Sequence, residues 1–166
     1  GRVVRSDNGG STWLTLASDP FTEFLNCLAQ GTDNRNILYA SQNTLIARCD
    51  NALANNNFDW TIVSAGLPDL AITGIVVNPS DAEEVYVTFS GYSTGNKVFK
   101  SIDSGDNWIN ISDNLPNVPI NCIAFQDTPG NINAVYIGTD IGVFYRDNNI
   151  VEWIYFSNFL PVTIVN

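Results

Sequence analysis

The clearest hydropathy pattern lies between residues 120 and 157. Four short apolar runs, "INCIAF", "AVYIGT", "GVFYR" and "WIYFS", are rich in β-branched and aromatic residues and are parted by Asn, Asp, Gly and Pro. Runs of this length and composition predict strands joined by tight turns. No stretch of the chain sustains the apolar spacing of a helix. The pattern predicts an all-β protein.

The same arrangement recurs. Trp13, Trp60, Trp108 and Trp153 are separated by 47, 48 and 45 residues. A proline follows each seven or eight residues later, at Pro20, Pro68, Pro116 and Pro161. Fourteen residues after the first three tryptophans comes a small residue within an apolar strand: Cys27, Gly74 and Cys122. A tyrosine strand then follows, around Tyr39, Tyr86 and Tyr136. Four strands in about 45 residues, repeated, predict the blades of a β-propeller. A β-sandwich also has closely spaced turns, but gives no reason for four-strand units to recur. The predicted architecture is a partial β-propeller of about three complete four-stranded blades plus parts of two flanking blades. The boundaries are a partial blade at 1–18, blades at 19–65, 66–112 and 113–158, and the start of another at 159–166. Because propellers close with about four to eight blades, the rest of the ring, from the same or a neighbouring chain, is the first partner implied.

Composition narrows the chemistry. Of 166 residues, 45% are hydrophobic and 14% charged, as in an ordered globular domain. The net charge of −10 argues against nucleic acid and anionic membranes, whose phosphates need lysine and arginine. No apolar run approaches the ~20 residues of a membrane span, so no membrane insertion is expected. The absence of histidine removes the commonest general base and zinc ligand. Cys27, Cys49 and Cys122 lack metal-ligand spacing and read as buried thiols or, alternatively, as including one disulfide. The chain opens Gly1-Arg2-Val3-Val4 and contains no methionine, which reads as a processed or excised piece.

Two segments carry a more specific signature. Ser101-x-Asp103-x-Gly105-x-Asn107-Trp108 and Ser6-x-Asn8-x-Gly10-x-Thr12-Trp13 each precede a fourth strand. Short Asp and Asn side chains bond backbone N–H groups within their own turn, glycine supplies positive φ, and the tryptophan covers the turn. Ser6, Asn8, Gly10, Trp13, Ser101, Asp103, Gly105 and Trp108 therefore read as structural. "RCDNALANNNFDW" and "RDNNIVEW", at the equivalent places, keep little beyond the tryptophan. Arg5, Arg48 and Lys100 recur just before the turns and read as a solvated face. Asn110-Ile111-Ser112 matches a glycosylation acceptor, relevant only in a eukaryotic secretory route.

The two good copies resemble the Asp-box, or bacterial neuraminidase repeat, of secreted and surface-attached propellers. These include bacterial proteins exported by the type IX route and xyloglucan endoglucanases. The resemblance implies that the box lies opposite the ligand face, which is built from loops joining strands two and three and successive blades. Those loops carry Asp19, Glu23, Asp69, Asp113 and Asp140, together with Tyr92 in "SGYSTGNK". Asp69, Tyr92, Asp113 and Asp140 are the candidate binding residues. No catalytic residue, metal site or cofactor is assigned. The implied role is extracellular recognition or scaffolding, with a glycan or protein ligand, within a larger secreted or cell-surface adhesion protein. Alternatively the chain is part of a glycoside hydrolase that flanks a sugar bond with two carboxylates. A sialidase ranks last, because Arg2, Arg5, Arg48 and Arg146 lie by third strands, away from the ligand face.

Overall fold

The computed structural model describes residues 2–17, 20–127, 133–156 and 163–166. The described residues form fourteen strands and no helix: β1 (Val3–Arg5), β2 (Leu14–Ala17), β3 (Cys27–Gln30), β4 (Leu38–Gln42), β5 (Leu45–Cys49), β6 (Trp60–Ile62), β7 (Ile72–Asn78), β8 (Asp81–Phe89), β9 (Val98–Ser101), β10 (Ile109–Asn110), β11 (Ile120–Gln126), β12 (Ala134–Thr139), β13 (Gly142–Asp147) and β14 (Ile150–Phe156). They make a two-stranded sheet, β1-β2, and three four-stranded antiparallel meanders, β3 to β6, β7 to β10 and β11 to β14. We refer to these as the first to fourth sheets. This is the partial propeller that the repeat predicted. Asp19, Leu160 and Pro161 lie outside the described residues.

The sheets stack face to face, and the two-residue side-chain period of a strand explains how. On β4, Leu38 and Ala40 join Val3 and Leu16 of the first sheet, whereas Tyr39 between them turns to the third sheet and packs with Val85 and Val87. On β8, Val85, Val87 and Phe89 face the second sheet, while Tyr86 faces Val135, Ile137 and Phe144 of the fourth. With both faces covered, these strands read as nearly continuous apolar runs, without polar alternation. The small residue of each first strand has a steric origin at one position. A Cβ on Gly74 would stand 2.5 Å from Ile123 Cγ2 of the next sheet.

The recurring tryptophan is a cross-sheet donor. Trp60 Nε1 donates to Leu16 O (3.4 Å), Trp108 Nε1 to Val63 O (2.7 Å) and Trp153 Nε1 to Ile111 O (2.7 Å), in each case a carbonyl of the preceding sheet's outer segment. Trp13 holds the same position in the first sheet and is 63% exposed. Tyr39 reaches the other way, donating to Ala82 O of the third sheet at 3.0 Å. The period of about 45 residues is thus the length of chain between a tryptophan and the acceptor it needs.

The outermost strand of the fourth sheet is longer than its counterparts β6 and β10. An open edge of that length is a template for pairing with another chain. Here it is interrupted at its middle. Asn114, from the preceding inter-sheet connection, accepts from Trp153 N (2.8 Å) and donates to Trp153 O (3.0 Å) through its side-chain amide.

Trp108→Phe, which leaves the Val63 carbonyl unpaired, is expected to cost ~1–3 kcal/mol in denaturant unfolding. Trp13→Phe should stay within about 0.5 kcal/mol, since that ring is exposed. Asn114→Ala should cost about 1–2 kcal/mol and free the β14 edge, read as concentration-dependent self-association in sedimentation velocity.

Candidate functional site

A meander sends its turns alternately to opposite ends, so every sheet has two faces to assess. At one end lie the turns between third and fourth strands. In residues 101–108, Gly105 N donates to Ser101 Oγ (2.8 Å), Ser101 Oγ donates to Asp103 Oδ1 (2.7 Å), and Asn107 N donates to Asp103 Oδ1 (2.9 Å). Residues 6–13 repeat this wiring with Asn8 in the aspartate's place: Gly10 N to Ser6 Oγ (2.7 Å), Ser6 Oγ to Asn8 Oδ1 (3.1 Å) and Thr12 N to Asn8 Oδ1 (2.9 Å). The donors around Asp103, Asn107 foremost, hold its carboxyl below the usual aspartate range. Gly105 has φ +90°, and a Cβ there would press on Val63 of the preceding sheet at 3.0 Å. The Ser101, Asp103 and Asn107 side chains are occupied in shaping the turn.

The turn of the second sheet proves closer to this pattern than its sequence suggests. Cys49 Sγ lies 3.4 Å from Asn51 Oδ1, and Asn51 Oδ1 accepts from Asp59 N at 2.9 Å, just before Trp60. Cys49, Asn51 and Asp59 thus take the places of Ser101, Asp103 and Asn107, with four extra residues looped out between the last two. The insertion hid the correspondence. The fourth sheet has only a tight turn there, in which Asn149 N donates to Asp147 Oδ1 (2.8 Å).

The cations beside these turns form no solvated face. Arg48 chelates Asp50 and extends Nη1 to Ser104 O (2.7 Å) and Asp106 Oδ1 (3.0 Å) of the third sheet's turn. Its side chain is only 13% exposed. Arg5 reaches Ala52 O of the second sheet in the same way. Lys100 occupies the equivalent position but faces the short turn of the fourth sheet, and turns back within its own sheet to Glu84. Arg146, one residue further along its strand, points to the opposite side, to Asp113 Oδ2 (2.6 Å) and Ile111 O (3.1 Å) of the preceding sheet.

Glu84 is almost buried and also accepts from Asn78 Nδ2 (2.5 Å) and Tyr86 Oη (2.6 Å). Burial pushes its pKa up, but Lys100, Tyr86 and Asn78 together outweigh that and hold it below its ordinary value. The same burial, and the neighbouring carboxylate, push the Tyr86 hydroxyl up. Where a longer turn would fill the interface, a cavity of about 170 Å³ remains, lined by Tyr86, Lys100, Arg146 and Asp147 among others.

The opposite end carries the candidate binding residues, which fall on separate connections. Asp69 is exposed in the segment between β6 and β7. Tyr92 is 72% exposed at the tip of the 90–97 loop. That loop is braced from beneath by Lys97, whose side chain is buried and donates to Gly91 O at 2.6 Å. Asp140 accepts from Asn121 Nδ2 at 3.0 Å. Asp113 is committed to Arg146 across the interface between sheets, with φ +37°. Glu23 is exposed beside Phe24, which sequence reading passed over and which is 92% exposed. Its neighbours Phe21 and Leu25 serve the core, and the spacing of apolar residues alone did not separate the three. Among the described residues, no group of three or more Cys, Asp or Glu is placed to hold a metal ion.

Comparison with solved structures agrees with this architecture. The chain superposes on the GH74 enzyme of Niastella koreensis with a TM-score of 0.66 and 17% identity, over 93% of this chain and 26% of that one. It superposes on the GH74 xyloglucanase of Xanthomonas campestris with a TM-score of 0.57 and 13% identity, over 83% of this chain and 24% of the other. An ancestral GH74 enzyme gives a TM-score of 0.57 and 16% identity, over 82% of this chain and 19% of that one. No family model and no curated protein matches the sequence. The fold and the stacked, cross-bonded sheets define a β-propeller segment. It spans about a quarter or less of each of these enzymes.

The Glu84 cluster gives a pH prediction. Because the folded-state pKa lies below the ordinary value of 4.5, its stabilisation is complete above that pH and is lost as pH falls through the folded value. Unfolding free energy measured from pH 7 to pH 2.5 should therefore fall on the acid side, and Glu84→Gln should lower the plateau and flatten that part of the curve.

Proposed function

We propose that this chain is an extracellular recognition and scaffold module, a segment of a larger propeller whose ligand face meets a glycan or protein. The observation that supports this reading is the division of labour between the two ends. At the turn end, Ser101, Asp103, Arg48 and the tryptophans are spent on holding turns and adjacent sheets. The other end leaves Asp69, Tyr92 and Phe24 facing solvent. The shared wiring of residues 6–13 and 101–108 supports reading both as Asp-boxes, with the role assigned to those residues in such propellers. The outward side of the fourth sheet, where Tyr136, Tyr145 and Phe156 pack on one another and Ile154 is 41% exposed, suits a further blade.

A second reading, part of a glycoside hydrolase, is favoured by the superposition on GH74 enzymes. One experiment separates the two. The native polypeptide would be incubated with insoluble and soluble polysaccharides, including xyloglucan, and both bound protein and newly formed reducing ends would be measured. Binding without new reducing ends is expected for a recognition module. Release of reducing ends would replace that reading with the hydrolase, and neither binding nor release would remove the carbohydrate reading altogether.

A further inference from the structure

We infer that Phe24 and the polar side chains around it form a binding site for a neutral pyranose on the ligand face of the second sheet. The inference rests on the glycan reading above and names where such a ligand sits. Phe24 is 92% exposed, while Phe21 and Leu25 of the same segment pack in the core between the first two sheets. Burying a phenylalanine is favourable, and the fold forgoes it here. Counting from the small residue of each first strand, the equivalents of Phe24 are Ala71 and Pro119. The propeller therefore does not need a ring at this place.

The surroundings are polar and held still. Phe24 opens onto a cavity of about 420 Å³ lined also by Thr22, Glu23, Asn26 and Asn43. Glu23 N donates to Gln42 Oε1 (3.0 Å), Gln42 Nε2 to Thr22 Oγ1 (3.3 Å) and Asn43 N to Asn26 Oδ1 (3.0 Å), so the segment is tied to the β4–β5 hairpin. Asn43, at the tip of that hairpin, has the left-handed φ of +51°. Among the described residues, the Glu23 carboxylate and the Asn43 side-chain amide make no bond within the chain. A pyranose offers an apolar C–H face, slightly positive, and a rim of hydroxyls. The negative face of an aromatic ring takes the first, and the free carboxylate and amide take the second. Pre-organisation spares the ligand the cost of ordering the loop. With Glu23 in the site and a net charge of −10, anionic sugars are repelled.

The test is calorimetric titration of the full chain with cellohexaose and maltohexaose, with polygalacturonate as the anionic control, using wild type, Phe24→Ala, Asn43→Gly and Tyr92→Ala. The site predicts binding of at least one neutral hexaose, a loss of at least tenfold in Phe24→Ala, and a severalfold loss in Asn43→Gly, whose glycine keeps the left-handed backbone. Thermal midpoints of Phe24→Ala and wild type should coincide, since the ring is solvent-exposed. Unchanged affinity in Phe24→Ala with loss in Tyr92→Ala would overturn this site and leave the glycan reading standing. No binding of either neutral hexaose, or equal binding of polygalacturonate, would overturn the inference, whereas the glycan reading falls only if the polysaccharides named above also fail to bind.

Discussion

The second and third sheets each carry apolar residues on both faces, and each face is buried only where a neighbouring sheet covers it. That constraint organises everything else. β8 illustrates it: Val85, Val87 and Phe89 serve one interface while Tyr86, between them in sequence, serves the next. Burial at the interfaces is non-directional and would tolerate sliding. The tryptophan N–H bonds to Leu16, Val63 and Ile111 carbonyls supply direction at fixed intervals.

The charged residues follow the same logic. A basic residue beside each turn is best placed where the next sheet's turn presents carbonyls and carboxylates, as Arg48 finds in Ser104 and Asp106. When the next turn is short, as in the fourth sheet, the cation has nothing to meet. Lys100 accordingly settles on Glu84, and the interface keeps a small polar cavity in place of a packed turn. Turn length in one sheet thus determines side-chain partners in its neighbour.

This arrangement separates in space the groups tied up in the fold from those left outward. Residues with the most chemical character at the turn end, including Asp103 and Arg48, are saturated with internal partners. The other end has its own internal ties, such as Asn121 to Asp140 and Gln42 to Thr22, yet leaves aromatic and polar groups outward at Phe24, Glu23 and Tyr92. Loops on a rigid stacked scaffold vary at little cost to the fold.

The repeat of strands and the tryptophan register were legible in the sequence because they are local. Strand periodicity and turn chemistry act over a few residues, and a blade is one such unit repeated. So were the bonds that Asp103 makes within its turn, because Ser101 and Asn107 lie within four positions along the chain. Partners between sheets were not legible, because Arg48 and Ser104 are 56 residues apart and meet only when two sheets stack. An insertion of four residues hid the correspondence of Cys49, Asn51 and Asp59 to a regular turn, and separation along the chain hid the pairing that takes Asp113 out of the set of free carboxylates. Which of Phe21, Phe24 and Leu25 remains in solvent was likewise decided by tertiary structure. All three are equally apolar to the chain, and only the packing of the first two sheets selects which of them is covered.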